Sequence, residues 1–395
     1  MIYLWDADYP WDVRTEKICR TLNDSGFAMH IVARNRRWDV AEEALPEGTV
    51  HRLRPWRWVG QRFDGVLQFP AFLNPRWAHR LGTVVAKTAP AAIVVRDLPL
   101  CPVAIGVGRR HHLPVIFDMA ENYPALLRDV WDTGRQQGLD WLVRNPNAAV
   151  AVERYCLPRV DHVLVVVEES KARIQELGVP SDRITLVSNT PPRSRAQASR
   201  PHDKESPRLV LVYMGLMELA RGLDTLLHAI ARLNEQGSNV FLQMIGGGRD
   251  LGLLQERAQI LGLGESQVRF HGYIPSHADA LEIVGGADVG VIPHLANDWA
   301  NTTIPNKLFD YMAAGIPVLT SDSKPCSRIV RQTGCGVVFR AADVDSLVEA
   351  VRRLASPKDR KRLGAAGISA VLEALNWEAD TSRLRNALEA TLKRG

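Results

Sequence analysis

Short apolar runs, rich in β-branched residues, alternate along nearly the whole chain with longer segments whose apolar positions return every three or four residues. The first pattern predicts buried strands and the second amphipathic helices. In the first half, strands are expected at Ile2–Trp5, Met29–Ala33, Ala92–Val95, Val115–Asp118, His162–Val167 and Ile184–Val187, and helices at Arg14–Gly26, Arg76–Thr88 and Asn147–Arg159. In the second half, strands are expected at Leu209–Met214, Val240–Ile245, Val268–Phe270, Val289–Ile292 and Val318–Thr320, and helices at Leu223–Gln236 and Leu251–Gly262. Strands that are apolar throughout, instead of alternating, belong to parallel sheets covered on both faces. The expected class is α/β, with two doubly wound domains.

The halves are separated by NTPPRSRAQASRPHDKESPR, residues 189–208, which is rich in Pro, Ser and Arg and has no hydrophobic period. This stretch reads as an inter-domain linker. The expected organisation is a Rossmann-like domain over residues 1–190, a linker over 191–207 and a second Rossmann-like domain over 208–375. Residues 376–395 are expected to form a further amphipathic helix returning towards the first domain, redirected by Asn376 or the turn after it. Two such sheets facing each other would leave a cleft at the carboxyl ends of their strands, where ligands bind in this architecture.

Composition narrows the class further. A 395-residue chain has room for two proper cores. Five scattered cysteines (Cys19, Cys101, Cys156, Cys326, Cys335), with no C-x-x-C, argue for a reducing compartment and against a disulfide framework or structural zinc. Neither a signal-peptide pattern nor an apolar run of about 18 residues is found, so a cytoplasmic location is expected. The net charge of +5 is mild for this length, and no nucleic-acid-binding signature accompanies it, so nucleic acid is not an expected partner.

That charge is unevenly spread. Arg52, Arg54, Arg57 and Arg62 occur without an intervening acid, Trp56 and Trp58 lie among them, and Arg36-Arg37-Trp38 lies upstream. Two readings fit: a patch for the headgroup layer of an anionic membrane, or a pair of edge strands with partly buried tryptophans.

The stretch TTIPNKLFDYMAAGIPVLTS, residues 302–321, carries the most chemistry. Leu308, Phe309, Met312, Ala313 and Ile316 recur at helical spacing, and Gly315 ends the helix before a strand. The plain reading has Thr303 as N-cap and Asp310 facing solvent. Upstream, Gly215 follows the strand Leu209–Met214, and Arg221-Gly222 lead into a helix. Glycines permit close backbone approach, a helix start favours anions, and arginine offers a forked donor suited to a diphosphate. Three weaker signals carry little: the D-x-D spacings Asp6/Asp8 and Asp343/Asp345, the turn Gly246-Gly247-Gly248, and His111-His112.

Several segments in order resemble the family four glycosyltransferases of GT-B fold: DYPWDVRTEKICRTLNDSGFAMHIVA (8–33), RYCLPRVDHVLVVVEESKARI (154–174), VYMGLMELARGLDTLLHAIARL (212–233), VRFHGYIP (268–275) and PNKLFDYMAAGIPVL (305–319). The resemblance covers most of the chain. It implies that Arg221 holds the leaving diphosphate of a nucleotide-sugar donor. The family's second basic residue would fall on Leu216, and Lys307 is the candidate to replace it. Asp310 falls on the second acid of the family's E-x7-E pattern, which binds ribose hydroxyls, and the first acid falls on Thr302. The hydroxyl and helix-start amides of Thr302, Thr303 and Ile304 would then face the diphosphate beside Gly215, and Tyr273 and Ile274 would lie beside the base. Asp12, Arg14, Asp97 and Glu121 fall on the acceptor side, with Asp118 nearby. Many relatives carry a histidine near Ala120. Helix caps or loop acids are the plain reading of these carboxylates.

The implied activity is transfer of a sugar from a nucleotide-diphospho-sugar, UDP-linked in the first instance, with retention of configuration and without a metal or other cofactor. The candidate catalytic groups are Arg221, Lys307 and Glu121, and in the family the leaving phosphate itself receives the acceptor proton. A glycan, lipid-linked or small-molecule acceptor would be the partner, with peripheral contact at the inner face of an anionic membrane if it is lipid-linked. A sugar-nucleotide epimerase on the same fold and a non-catalytic nucleotide-sugar-binding protein stay open.

Overall fold

The computed structural model describes residues 1–10, 12–36, 39–53, 74–132, 145–197 and 208–394. They divide into two compact units: Met1–Ser188 with Asp380–Gly395, and Asn189–Ala379.

The first unit holds β1 (Ile2–Asp8), β2 (His30–Arg34), β3 (Glu42–Leu45), β4 (Gly48–Arg52), β5 (Ile93–Arg96), β6 (Val115–Met119), β7 (His162–Val165) and β8 (Ile184–Leu186). Their order in the sheet is β3-β4-β2-β1-β5-β6-β7-β8, and every pairing is parallel except β3 with β4. Described helices are α1 (Val13–Asp24), α2 (Pro75–Thr88), α3 (Cys101–His111), α4 (Tyr123–Asp132), α5 (Pro146–Cys156) and α6 (Glu168–Glu176). The sheet's Ile2, Leu4, Ile93, Val95 and Phe117 share one core with Trp77 and Leu81 of α2 and Val103 of α3. Strand order reverses between β1 and β5, so the crevice that binds ligands in such sheets lies at the carboxyl ends of those strands.

The second unit contains β9 (Leu209–Met214), β10 (Val240–Ile245), β11 (Val268–Gly272), β12 (Val289–Ile292), β13 (Val318–Ser321) and β14 (Gly336–Phe339), all parallel in the order β11-β10-β9-β12-β13-β14. Its helices are α7 (Arg193–Gln197), α8 (Leu223–Glu235), α9 (Leu251–Ile260), α10 (His277–Gly285), α11 (Asn306–Ala314), α12 (Lys324–Thr333), α13 (Val344–Arg353) and α14 (Pro357–Glu373). Here the reversal falls between β9 and β12. α15 (Trp377–Arg394) begins in this unit and ends in the other. Asn376, fully buried, sets its entry: its amide nitrogen donates to the Val371 carbonyl at 2.7 Å, and its oxygen accepts from the Ala379 amide at 3.0 Å. Further along, Arg385 donates to Ser25 and Arg394 pairs with Asp182.

Both doubly wound sheets are as expected from the sequence, with three strands added. β3 (Glu-Glu-Ala-Leu) is too polar to read as a core strand because it is an edge strand, where charged side chains block further pairing. β4 pairs with it, and β14 is only four residues long. The expected linker needs correction: Arg193–Gln197 form α7, with Ala196 1% exposed, and residues 198–207 lie outside the described residues.

The arginine patch also needs correction. Arg52 is 1% exposed and is used internally, donating to the carbonyls of Tyr9 and Val40 and pairing with Glu43, so it cannot meet a membrane. Arg37, Trp38, Arg54, Trp56, Arg57, Trp58 and Arg62 lie outside the described residues. Among the described residues, no helix is long and apolar enough to cross a membrane.

Candidate active site

In the second unit, the loops after β9 and β12 meet the first turn of α11. α11 is positioned by Tyr311, whose hydroxyl accepts a hydrogen bond from the Met214 amide at 3.0 Å. Gly290 makes room for that ring, since a Cβ there would come within 2.2 Å of it. One helical turn earlier on the same face stands Lys307, 8% exposed, with its ammonium 4.0 Å from the centroid of the Tyr213 ring. Gly215 has φ +144°, which favours glycine there, and a Cβ would lie 2.6 Å from the Lys307 Nζ and push the ammonium aside. Among the described residues, no acid is an influence on Lys307. Burial and the neighbouring Arg221 push its pKa well below the usual lysine value, with Cys326 a smaller opposing influence.

Arg221 reaches the same place from the turn before α8. Its guanidinium lies over Trp299, 4.1 Å from the ring centroid, and its Nε is 3.6 Å from Glu218. The turn is held close because Gly222 packs against the Pro293 carbonyl, which a Cβ would meet at 1.8 Å. Two cations thus act on one another, with Glu218 beside Arg221. Like charges held together in this way favour an anion near them. Underneath, Gly246-Gly247-Gly248 packs backbone against backbone on the Gly215–Met217 loop: the Met217 amide donates to the Gly247 carbonyl at 2.9 Å, and a Cβ on Gly246 would meet the Gly215 oxygen at 2.0 Å.

α11 departs from expectation at its start. It begins at Asn306, with Pro305 in the cap position and no side-chain cap. Thr303 is therefore not the N-cap, and Thr302, Thr303 and Ile304 are not the helix-start residues. The Thr302 hydroxyl donates to the Asp298 carbonyl at 2.6 Å, and Thr303 and Ile304 are buried. The first-turn amides that lack an intrahelical acceptor belong to Asn306 and Lys307. Proline explains the shift, because it biases the residue before it away from helix. Asp310 does not face solvent. It is 4% exposed, accepts from Arg195 of α7 at 2.5 Å and lies 3.6 Å from the His277 Nε2. Tyr273 is 65% exposed on the loop after β11, with Ile274 partly buried beside it, and Leu216 is exposed.

In the first unit, acids gather at the reversal point. Asp97 follows β5 with a left-handed backbone (φ 59°), and its Oδ1 has no hydrogen-bond partner among the described residues. Burial pushes its pKa up to about 7; Arg96 opposes that rise, and Glu121, Asp118 and Asp12 add to it. Asp12 caps α1 by accepting from the Thr15 amide at 2.8 Å, and it pairs with Arg96. Arg14 and Asp118 are corrected: they are 3% and 0% exposed and bonded to each other at 2.5 Å. Arg14 also donates to the Val187 carbonyl, and Asp118 accepts from the Tyr3 hydroxyl at 2.7 Å. With their hydrogen-bonding capacity spent internally, they are a structural pair, not acceptor contacts. Among the described residues, no three His, Cys, Asp or Glu side chains converge as a metal site.

His294, Trp299, Tyr213, Arg195 and His277 carry no signal in the sequence that would place them at a site. Only tertiary contacts bring them to the Lys307 and Asp310 surroundings, and no local pattern marks them.

Comparison with known proteins agrees with this architecture. The model described as "Glycosyl transferase 4-like domain" matches residues 12–190, and "Glycosyl transferases group 1" matches residues 194–370. A D-inositol 3-phosphate glycosyltransferase of Thermobifida fusca is 25% identical over 266 residues, 63% of this chain and 58% of that protein. A GDP-mannose-dependent alpha-(1-6)-phosphatidylinositol monomannoside mannosyltransferase of Mycolicibacterium smegmatis is 28% identical over 185 residues, 46% of this chain and 48% of that one. The chain thus matches about half the length of these curated relatives. A sucrose-phosphate synthase from Thermosynechococcus elongatus superposes with a TM-score of 0.78 at 17% identity, covering 100% of this chain and 99% of that one, a likeness of fold. Two successive family matches spanning most of the sequence, on two doubly wound sheets, make the chain a member of the family four glycosyltransferases of GT-B fold.

Proposed function

We propose that the second unit binds the diphosphate of a nucleotide-sugar at Lys307 and Arg221, and that the chain transfers the sugar to an acceptor hydroxyl with retention of configuration. The observation that carries this reading is the buried Lys307 ammonium, without an acid to balance it among the described residues, seated against a glycine at the carboxyl end of β9. A buried unpaired charge is costly, and a charged ligand that arrives to pair with it offsets the cost. Asp310 would take the ribose hydroxyls. Its Oδ1 is engaged by Arg195, but a carboxylate has further lone pairs to offer. Tyr273 and Ile274 would lie beside the base.

In the transfer step, the bond from the anomeric carbon to the diphosphate oxygen breaks with its electron pair leaving on the diphosphate. The acceptor oxygen forms the new bond, and its proton passes to the leaving phosphate. Lys307 and Arg221 would stabilise the charge developing there. They supply the positive charge without a metal, and activity is expected to survive EDTA. On the acceptor side, Asp97 and Glu121 are the groups available to orient a hydroxyl.

The sugar and base are the finer part of the proposal. One relative is named for GDP-mannose, so GDP-linked donors stand beside the UDP-linked ones. The same relative's name specifies a phosphatidylinositol monomannoside, which favours a lipid-linked acceptor and peripheral contact at an anionic membrane through Arg54, Arg57, Arg62, Trp56 and Trp58. Co-sedimentation with anionic vesicles that fades at high salt is expected, and indifference to them at low salt would leave a soluble acceptor. The donor reading is tested by thermal shift against UDP- and GDP-sugars: a ligand at about 100 times its Kd stabilises by about 2.7 kcal/mol. A flat response across both series would reject it.

A further inference from the structure

His294 follows β12, next to the point where strand order reverses, and is 2% exposed. Its Nε2 is buried without a hydrogen-bond partner among the described residues. Its ring lies tilted against Trp299, with centroids 5.8 Å apart, and Arg221 covers the same tryptophan. The preceding Pro293 carbonyl is the surface on which the Arg221-Gly222 turn rests. One wall thus joins His294, Trp299 and Arg221, and Lys307 faces it. Buried nitrogens are normally bonded, and an orphan beside two cations marks a place for an acceptor.

We infer, on the basis of the donor-site reading, that His294 is a further donor-site residue whose Nε2–H donates a hydrogen bond to a phosphate oxygen of the bound nucleoside diphosphate. Burial, Lys307 and Arg221 all hold the imidazole well towards its neutral form. A neutral imidazole still has one N–H to donate. The site would therefore grip the diphosphate with two charges and one uncharged donor, without a third like charge to repel the other two.

The test uses the full chain and calorimetric titration of UDP and of GDP into wild type, His294→Phe, His294→Gln and His294→Asn. The glutamine amide nitrogen reaches roughly where Nε2 does, and the asparagine nitrogen reaches only as far as Nδ1. For whichever nucleotide wild type binds, His294→Phe and His294→Asn should weaken binding about tenfold or more, the loss of one hydrogen bond to a charged group, and His294→Gln should stay within about threefold of wild type. If His294→Phe fails to fold, the Gln and Asn pair carries the comparison. Equal affinity in all variants, alongside a loss in Lys307→Met, would make His294 a core residue and leave the donor site standing. Equal weakening in Gln and Asn would also overturn the Nε2 bond. If wild type binds neither nucleotide, the donor-site reading fails and takes this inference with it.

Discussion

Replacing Lys307 by methionine keeps an unbranched apolar stem and removes the charge. That charge is a burden: Lys307 is 8% exposed, beside Arg221, and among the described residues only the Tyr213 ring receives it. At an effective dielectric of about 20, two like charges repel by about 4 kcal/mol at about 4 Å and by less further apart, and a cation over an aromatic face recovers about 0.5–2 kcal/mol. The pH sign agrees. The folded pKa lies below the unfolded one, so the unfolded chain binds the proton more tightly, and the penalty on folding holds at neutral pH and disappears as pH rises through the unfolded value. Lys307→Met should therefore melt at the same temperature as wild type or a few degrees higher, since about 1 kcal/mol moves a domain of this size by roughly 2–4 °C. The same change should weaken nucleoside-diphosphate binding by about 1.5–3 kcal/mol, or roughly 10- to 150-fold in Kd. Melting followed by circular dichroism and calorimetric titration of the nucleotide give the two numbers. A variant that melts well below wild type yet binds the nucleotide unchanged would show that Lys307 is structural and refute the argument.

Other residues give sharper but narrower expectations. Arg221→Ala should lower kcat by about 10²-fold or more, as for a lost electrostatic stabiliser, in a steady-state assay of diphosphate release; an unchanged kcat would remove Arg221 from the site. Asp310→Ala should cost about 1.5–3 kcal/mol of nucleotide binding irrespective of the sugar. Arg195→Ala, which frees the same carboxylate, should leave or improve that binding, and matching losses in both variants would assign Asp310 to holding α7 instead. Asp97 has a folded pKa of about 7, above its unfolded value, so it favours folding at low pH and progressively loses that contribution as pH rises from about 4 towards 7. Asp97→Asn should remove this dependence from denaturant melts at pH 5 and pH 8, and an unchanged difference between them would place the titration elsewhere.

The parts of the fold legible in the sequence were those with strong apolar signals. β7 and β12, buried on both faces, announce themselves as apolar runs, whereas β3 does not, because an edge strand carries charge for solvent and against aggregation. The cap of α11 lies two residues later than the sequence suggests, at Pro305 instead of Thr303: the segment before Pro305 closes its own turn, with Ala300 donating to the Asn297 side chain and Thr302 to the Asp298 carbonyl. Gly215 and Arg221 stand out in the sequence because a strand, a glycine and a basic helix start form a local pattern, whereas Lys307 enters only through the family resemblance. The partnership of Asp310 with Arg195 does not stand out, since α7 lies in a stretch whose composition says linker, and the helix there is fixed by packing. His294 is a lone histidine after a strand, and what distinguishes it is its missing partner, a property of three loops together.

The most direct test of glycosyl transfer follows the fate of the sugar. Purified chain is incubated with the nucleotide-sugar that stabilises it, with and without a membrane-lipid extract and a set of free sugars as acceptors, and nucleoside diphosphate and glycosylated product are quantified by mass spectrometry. Slow diphosphate release alone is expected, with much faster release with one acceptor, one sugar added per diphosphate, and an anomeric configuration matching the donor's. A donor that binds but is recovered intact, or is recovered as its epimer with no diphosphate released under any acceptor, would contradict glycosyl transfer.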